Sequence, residues 1–128
     1  MYDIYYAHHQ WKYNTPEEAY ELTLIKRYFP YATICNPATD LETAETKNEE
    51  IIMVECLNKI RNSDIVIFSS LDGYIGTRVY QEVKEAQKEG KLVFYIFQDK
   101  LSTDFVISER EPHIRSDRLY AFVDTCNW

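Results

Sequence analysis

The sequence predicts a small α/β fold, in which a doubly wound parallel sheet carries helices on both faces. Short apolar runs alternate with amphipathic helical patterns, as expected when parallel strands are joined by crossover helices. Residues 63–97 contain one complete strand–loop–helix–strand unit. Right-handed crossovers then place helices on both sides of the sheet. The 128 residues have the length of one domain with one core, so we expect a single domain over residues 1–128, of flavodoxin or Rossmann type.

The first strand and the first helix have clear boundaries. A run rich in tyrosine and isoleucine predicts a strand over residues 2–7, followed by a polar turn. Thr15 is the predicted N-cap of the helix, with Pro16 at its first position and Glu18 completing a capping box. The helix ends before Pro30, because proline cannot continue a helix.

The middle of the chain adds a strand, a polar segment and a second helix. The strand covers residues 32–36 and ends at Pro37. Residues 38–48 are polar and predict a loop over the ligand site. The helix covers residues 49–62, and its acidic start and basic end complement the helix dipole.

The strand–loop–helix–strand unit follows. Its first strand is Ile65–Phe68, and a glycine-bearing loop leads into a helix that carries Glu82 and stops at Gly90. The second strand is Leu92–Phe97. Beyond it the pattern weakens, and it predicts a short strand at 105–108, a charged loop at 109–118 and a last strand at 119–124.

Composition and charge exclude several classes of protein. The net charge of −7 argues against binding to nucleic acid or to an anionic membrane surface. No apolar run approaches the roughly 20 residues that a membrane-spanning helix needs, and no leader sequence is recognisable after Met1. We therefore expect a cytoplasmic protein. The 3 cysteines are widely spaced, which predicts reduced core thiols at Cys35 and Cys56, no metal site and no cofactor.

Polar residues that follow the predicted strands mark the candidate ligand site, because such sheets bind ligands outside the carboxyl ends of their strands. Residues 73–77 match neither a Walker phosphate-binding loop nor a dinucleotide-binding fingerprint. They form either an anion-binding site at the amino terminus of the following helix or a plain loop. The adjacent histidines are interpreted as loop residues, not metal ligands. The candidates are Tyr5, Tyr6, Ala7, His8, His9, Asn36, Pro37, Ser69, Ser70, Asp72, Gly73, Gly76, Thr77 and Arg78.

Glu82 is the carboxylate that we single out for chemistry. Val79, Val83 and Ala86 form the stripe that should face the sheet, and Glu82 lies on the border of that stripe. A partly desolvated carboxylate beside the crevice suits a nucleophile or a general base. The alternatives are a solvated surface residue or an ion-pair partner of Arg78, four residues earlier.

These residues resemble the nucleoside 2-deoxyribosyltransferase-like superfamily, and more closely its small phage and bacterial branch. The resemblance covers roughly residues 2–97. It rests on the opening IYYA, the pair Asn36-Pro37 after the second strand, the run ECLNKIRNSDIVIF and the run GTRVYQEVKEAQKEGKLVFYIF. In the transferases the glutamate stands at the position of Tyr80, and Glu82 lies two residues further on, as in the smaller branch.

The resemblance implies cleavage or transfer of the N-glycosidic bond of a nucleoside or nucleoside 5′-phosphate. Glu82 would attack the anomeric carbon and Tyr5 would orient it. One acid would stand at or beside Glu55, and another at Asp72. The alternative for Glu55 is a residue on the solvated face of its helix. Arg78 and the amino terminus of its helix, at Gly76 and Thr77, would bind a phosphate. The family also implies a homo-oligomer, which the 11 tyrosines suit. The alternative is a non-catalytic module that binds a nucleotide or an NAD-derived ligand.

Overall fold

The computed structural model describes residues 1–40, 49–109 and 120–125. Strands β1 (Asp3–Ala7), β2 (Thr33–Cys35), β3 (Ile65–Phe68), β5 (Leu92–Phe97) and β6 (Lys100–Ser102) form the central sheet. Their order is β2-β1-β3-β5-β6; the first four are parallel and β6 runs antiparallel at the edge. The predicted doubly wound α/β fold is therefore confirmed.

Helices and a second, smaller sheet complete the described part of the chain. The helices are α1 (Pro16–Tyr28), the short α2 (Pro37–Asp40), α3 (Glu49–Arg61) and α4 (Thr77–Lys88). Strands β4 (Tyr74–Ile75), β7 (Phe105–Glu109) and β8 (Ala121–Thr125) form an antiparallel sheet in the order β4-β8-β7. None of the helices in the described residues is long and apolar enough to cross a membrane.

The central sheet is covered on both faces. Successive residues of a strand point to opposite faces, so neighbours in β1 enter different cores. Tyr5 packs in one cluster with Cys56 of α3 and Val83 of α4, whereas Tyr6 packs in another with Ile25 of α1. Helix α1 therefore covers one face, and α3 and α4 cover the other.

The strand order fixes where a ligand can approach the sheet. The chain leaves β1 through α1 to reach β2 on one side, and later enters β3 on the other side of β1. The order therefore reverses between β1 and β3, and the crevice outside their carboxyl ends is the topological switch point. His8 follows β1 there and Ser69 follows β3.

Helix α1 begins as predicted, but only half of the expected capping box is present. The Thr15 side chain accepts a hydrogen bond from the Glu18 amide at 3.2 Å. The Glu18 carboxylate, in contrast, accepts from the amide of Asn14 at 3.1 Å and lies 2.6 Å from His8 Nε2. Glu18 thus connects the start of α1 to the end of β1.

Two tight turns create strands that the sequence analysis did not predict. Gln98 and Asp99 have positive φ angles of 50° and 63°, which allow the two-residue hairpin between β5 and β6. Asp72 and Gly73 have φ angles of 51° and 89°, and the flanking residues 71 and 74 exchange both backbone hydrogen bonds. The predicted loop before α4 is therefore a turn followed by β4.

The predicted loop at 38–48 is only partly described. Pro37–Asp40 forms the short helix α2, and the Asn36 side chain accepts a hydrogen bond from the Ala38 amide at 3.0 Å. Residues 41–48 lie outside the described residues, as does most of the charged loop predicted at 109–118; Glu109 itself ends β7. The last strand, predicted at 119–124, is β8 (Ala121–Thr125).

Candidate functional site

Tyr5 and Glu82 form a buried pair between β1 and α4. The Tyr5 hydroxyl donates a hydrogen bond to Glu82 Oε2, across 77 positions of sequence. Both side chains are buried, with Glu82 only 1% exposed. Glu82 therefore lies deeper than the border position expected from the helical stripe. The fold brings together the two residues that the resemblance pairs as nucleophile and orienting tyrosine.

Burial governs the protonation of this pair. Loss of solvation raises the pKa of Glu82 to about 7, against the opposing effects of the Tyr5 hydrogen bond, the Arg78 charge and the Cys56 hydrogen bond. Burial and the neighbouring Glu82 also raise the pKa of Tyr5 well above its usual value, and that of Cys56 to about 12. At neutral pH, Tyr5 and Cys56 are therefore protonated donors, whereas Glu82 exists in both forms.

A cleft of about 230 Å³ lies beside the pair. Its described walls come from the end of β1 and the turn after it, from α3, and from the start of α4. Helix α4 contributes residues that precede Glu82, from Thr77 to Gln81, but not Glu82 itself. The Glu82 carboxylate therefore lies near the cleft but does not line it. The wall residues are His8, His9, Gln10, Glu50, Met53, Gly76, Thr77, Arg78, Val79 and Gln81.

The amino terminus of α4 opens onto this cleft. Gly76 is the N-cap and, as a glycine, offers no side-chain oxygen to the amides of the first turn. Thr77 and Arg78 follow, and both line the cleft. The backbone amides of the first turn, the helix dipole and a guanidinium together favour an anionic group at this position.

Tyr13 is a half-buried residue of the turn after β1. Burial raises the pKa of Tyr13, and the positive charge of Arg78 opposes that rise. The Tyr13 ring also packs against His8, with 5.0 Å between ring centroids. Tyr13 was not singled out in the sequence, where it is one aromatic residue within a polar turn.

His8 is held by the protein itself. Its Nε2 lies 2.6 Å from Glu18 Oε2 and its Nδ1 lies 3.3 Å from the Tyr6 carbonyl oxygen. The ring stacks on Tyr6 with 3.9 Å between centroids. Burial lowers the pKa of His8, and the Glu18 hydrogen bond and charge oppose that effect. His8 thus contributes to the cleft wall with both ring nitrogens directed at protein acceptors.

A second buried polar cluster lies on the α1 face of the sheet. The Tyr6 hydroxyl and Ser69 Oγ both donate to Glu21 Oε1, the latter at 2.7 Å. Lys12 Nζ lies 2.8 Å from Glu21 Oε2 and 3.1 Å from Ser69 Oγ. It also lies 3.2 Å from Glu17. Lys12 and Glu21 look like solvated residues in the sequence, and only their packing at the switch point buries them.

A second cleft, of about 490 Å³, opens beside that cluster. Ser70 and Asp72 line it, together with Tyr95, whose hydroxyl lies 2.7 Å from Ser70 Oγ. Asp72, the acid implied by the resemblance, is therefore a turn residue in a different cleft from the one beside Glu82. The Asp-Gly pair that signals such a turn is visible in the sequence.

The structure thus divides the candidate residues among several places. His8, Gly76, Thr77 and Arg78 line the first cleft, beside Tyr5 and Glu82. Tyr6 and Ser69 belong to the buried cluster on the other face, Asn36 caps α2, and Glu55 is half-buried on α3. Within the described residues, no group of three or more potential ligands is placed to hold a metal ion.

Comparison with known proteins adds no assignment, because no family model matches the chain and no curated protein is significantly similar to it.

Proposed function

We propose that this protein cleaves or transfers the N-glycosidic bond of a nucleoside or a nucleoside 5′-phosphate. Glu82 is the nucleophile and Tyr5 orients it. The observation that carries the proposal is the buried hydrogen bond between these two side chains, at the carboxyl edge of the sheet and beside a cleft. The resemblance named in the sequence analysis assigns the same two residues to the same roles.

The chemistry is a double displacement at the anomeric carbon. The ionised Glu82 carboxylate forms a bond to C1′ while the bond to the base breaks, and the base leaves with the bonding electrons and takes up a proton. Water or a second base then attacks C1′ and releases Glu82, with overall retention of configuration. Only the ionised carboxylate attacks, so the raised pKa of Glu82 makes the rate rise with pH through about 7.

The first turn of α4 is the proposed site for a 5′-phosphate. Its amides open onto the cleft at Gly76, and Arg78 supplies a guanidinium, which suits a phosphate group geometrically. Glu82 follows one turn later on the same helix. A ligand whose phosphate lies at this helix terminus would therefore direct its sugar toward the carboxylate.

We further propose that the active unit is a cytoplasmic homo-oligomer. Ile51 and Val54 of α3 are 47% and 58% exposed, on the helix that supplies Glu50 and Met53 to the cleft wall. A second copy that packs on this helix would border the cleft. Cys35 and Cys56 are buried free thiols, which suits a reducing compartment.

A specific observation favours a second candidate function, the binding of a nucleotide without turnover. Glu82 is 1% exposed and the acid expected at Asp72 lies in the other cleft. In a binding module, Glu82 would be a structural partner of Tyr5, and the α4 terminus would capture the phosphate.

Chromatography of free base separates the two candidates. Wild type, Glu82→Gln and Glu85→Gln are incubated with ribo- and deoxyribonucleosides, their 5′-phosphates and NAD. Glu85 is the matched control, because it lies on the same helix and pairs with Arg61 at 2.9 Å instead of with Tyr5. We expect base release by wild type and Glu85→Gln and none by Glu82→Gln. If no compound releases base but one raises the melting temperature, the protein binds its ligand without turnover.

A further inference from the structure

The larger of the two clefts, of about 490 Å³, takes no part in the proposed reaction. Ser70, two residues after β3, and Phe97, the last residue of β5, both border it, so it lies at the carboxyl ends of these strands. Its described walls share no residue with those of the cleft beside Glu82. Ligands of doubly wound sheets bind at this edge. The larger cleft is therefore a candidate site for a ligand of its own.

Four aromatic side chains among the described residues line the larger cleft. The rings of Tyr95 and Phe97 lie 6.0 Å apart at an angle of 19°, on the same side of β5. Tyr20 of α1 and Phe122 of β8 are 46% and 40% exposed. Aromatic faces contact aliphatic chains and attract cations through their π-electrons. These walls therefore suit an organic ligand.

The charged groups of the larger cleft are predominantly acidic. Its described walls carry five carboxylates and one ammonium group, that of Lys12. This ammonium is already paired, because Lys12 Nζ lies 2.8 Å from Glu21 and 3.2 Å from Glu17. Asp72 and Asp124 are exposed, and in the described part of the chain no basic side chain forms an ion pair with either of them. The larger cleft thus attracts cations and repels anions such as phosphates.

The carboxylates of the larger cleft are spread over separate elements. Asp72 lies in the turn before β4, Asp99 in the turn between β5 and β6, and Asp124 on β8. Nowhere in the described residues do three acidic, histidine or cysteine side chains come together in a way that could hold a metal ion. A compact divalent cation therefore finds no full set of ligands at this cleft. A ligand with several separated cationic groups matches carboxylates that are arranged in this way.

We propose that the larger cleft binds an aliphatic polyamine, whose ammonium groups pair with the carboxylates and whose methylene segments lie on the aromatic rings. Ammonium groups only donate hydrogen bonds and carboxylates only accept them, so the two sets are complementary. The methylene segments gain contact with Tyr95, Phe97 and Phe122, which a bare cation would leave unused. Binding at this cleft goes beyond the chemistry proposed for Glu82 and does not depend on it.

The test is calorimetric titration of spermidine into the full chain at constant ionic strength. Asp72→Asn and Asp124→Asn each remove one charge with almost no change of shape. Asparagine also tolerates the φ angle of 51° at position 72, because it adopts left-handed backbone conformations more readily than most residues do. Glu89→Gln is the matched control, since it removes an exposed carboxylate that lies outside the walls of the larger cleft.

The expected affinities follow the charges and the rings of the cleft. Asp72→Asn and Asp124→Asn should each bind spermidine about threefold more weakly than wild type, as expected for one solvent-exposed ion pair. The double variant should lose about tenfold, and Glu89→Gln should bind as wild type does. Phe122→Leu keeps an apolar side chain but removes the ring, and should also lose about threefold. Putrescine and butylamine, which carry fewer ammonium groups, should bind progressively more weakly.

Several outcomes would overturn the polyamine site. One is a titration without saturable binding of spermidine. Another is an equal loss of affinity in Glu89→Gln, or displacement of spermidine by magnesium chloride beyond that by sodium chloride of equal ionic strength, because the acidic surface then attracts cations in general. Should one aspartate variant fail to fold, the other variant and the amine series still decide the question. Release of base is measured separately with Glu82→Gln, so the two proposals fail independently.

Discussion

The substitution Glu82→Gln isolates the effect of one buried carboxyl group on stability. The pKa of Glu82 rises from 4.5 to about 7 on folding, so the folded protein binds this proton more tightly than the unfolded chain does. The stabilisation is therefore complete below the unfolded value and is lost as pH rises through the folded value. The full effect is about 3.5 kcal/mol, at about 1.4 kcal/mol per pKa unit.

The assay compares urea unfolding of wild type and Glu82→Gln at about pH 5 and about pH 8.5. Over that interval, linkage predicts that wild type loses about 2.5 kcal/mol of unfolding free energy relative to the variant. Glutamine has nearly the same shape, accepts the Tyr5 hydrogen bond through its carbonyl oxygen and does not titrate. All other titrating groups are common to both proteins and cancel in the difference.

Glu89→Gln is the control, because Glu89 ends α4 as its C-cap and is exposed. It should change the pH dependence by less than about 0.5 kcal/mol, as expected for a surface substitution. If wild type and Glu82→Gln have parallel stability profiles, the carboxyl group is not desolvated as the structure indicates. Glu82 would then be an ordinary carboxylate and not a poised nucleophile.

Three further substitutions test separate parts of the site. Tyr5→Phe removes a hydrogen bond that lowers the pKa of Glu82, so the midpoint of the pH–rate profile should move above 7; an unchanged midpoint contradicts this. Lys12→Met leaves Glu21 buried without its cation and should cost about 3–5 kcal/mol in urea unfolding, most of it restored by adding Glu21→Gln. Gly73→Ala should cost about 1–3 kcal/mol, because φ is +89° and the new Cβ would meet a ring carbon at 3.1 Å.

Much of the fold was predictable because its signals are local. The N-cap at Thr15 and the stop near Gly90 depend on neighbouring residues, and both helices occur close to their expected bounds. The two unpredicted strands, β4 and β6, each follow a tight turn, and the two turns differ in the strength of their sequence signal. Gln98-Asp99 is not a common pair for a two-residue hairpin, whereas Asp72-Gly73 is a common pair.

The candidate site was predictable only where the strand ends define it. The topology places Tyr5, Arg78 and Glu82 at one edge of the sheet, and their positions could be expected from the order of the elements. The expectation for Glu82 was a partly solvated carboxylate, because a helical wheel gives the direction of a side chain but not the depth of its surroundings. In the structure Glu82 is 1% exposed.

Local patterns along the chain fix the alternation of strands and helices, and with it the edge of the sheet where chemistry is expected. Which residues meet at that edge depends on how the elements pack. The hydrogen bond between Tyr5 and Glu82 spans 77 positions, and the contact between Lys12 and Ser69 spans 57. Periodicity and capping act within a few residues, whereas burial and pKa depend on whatever the fold packs against a side chain. The sealed glutamate is therefore a property of the packed molecule.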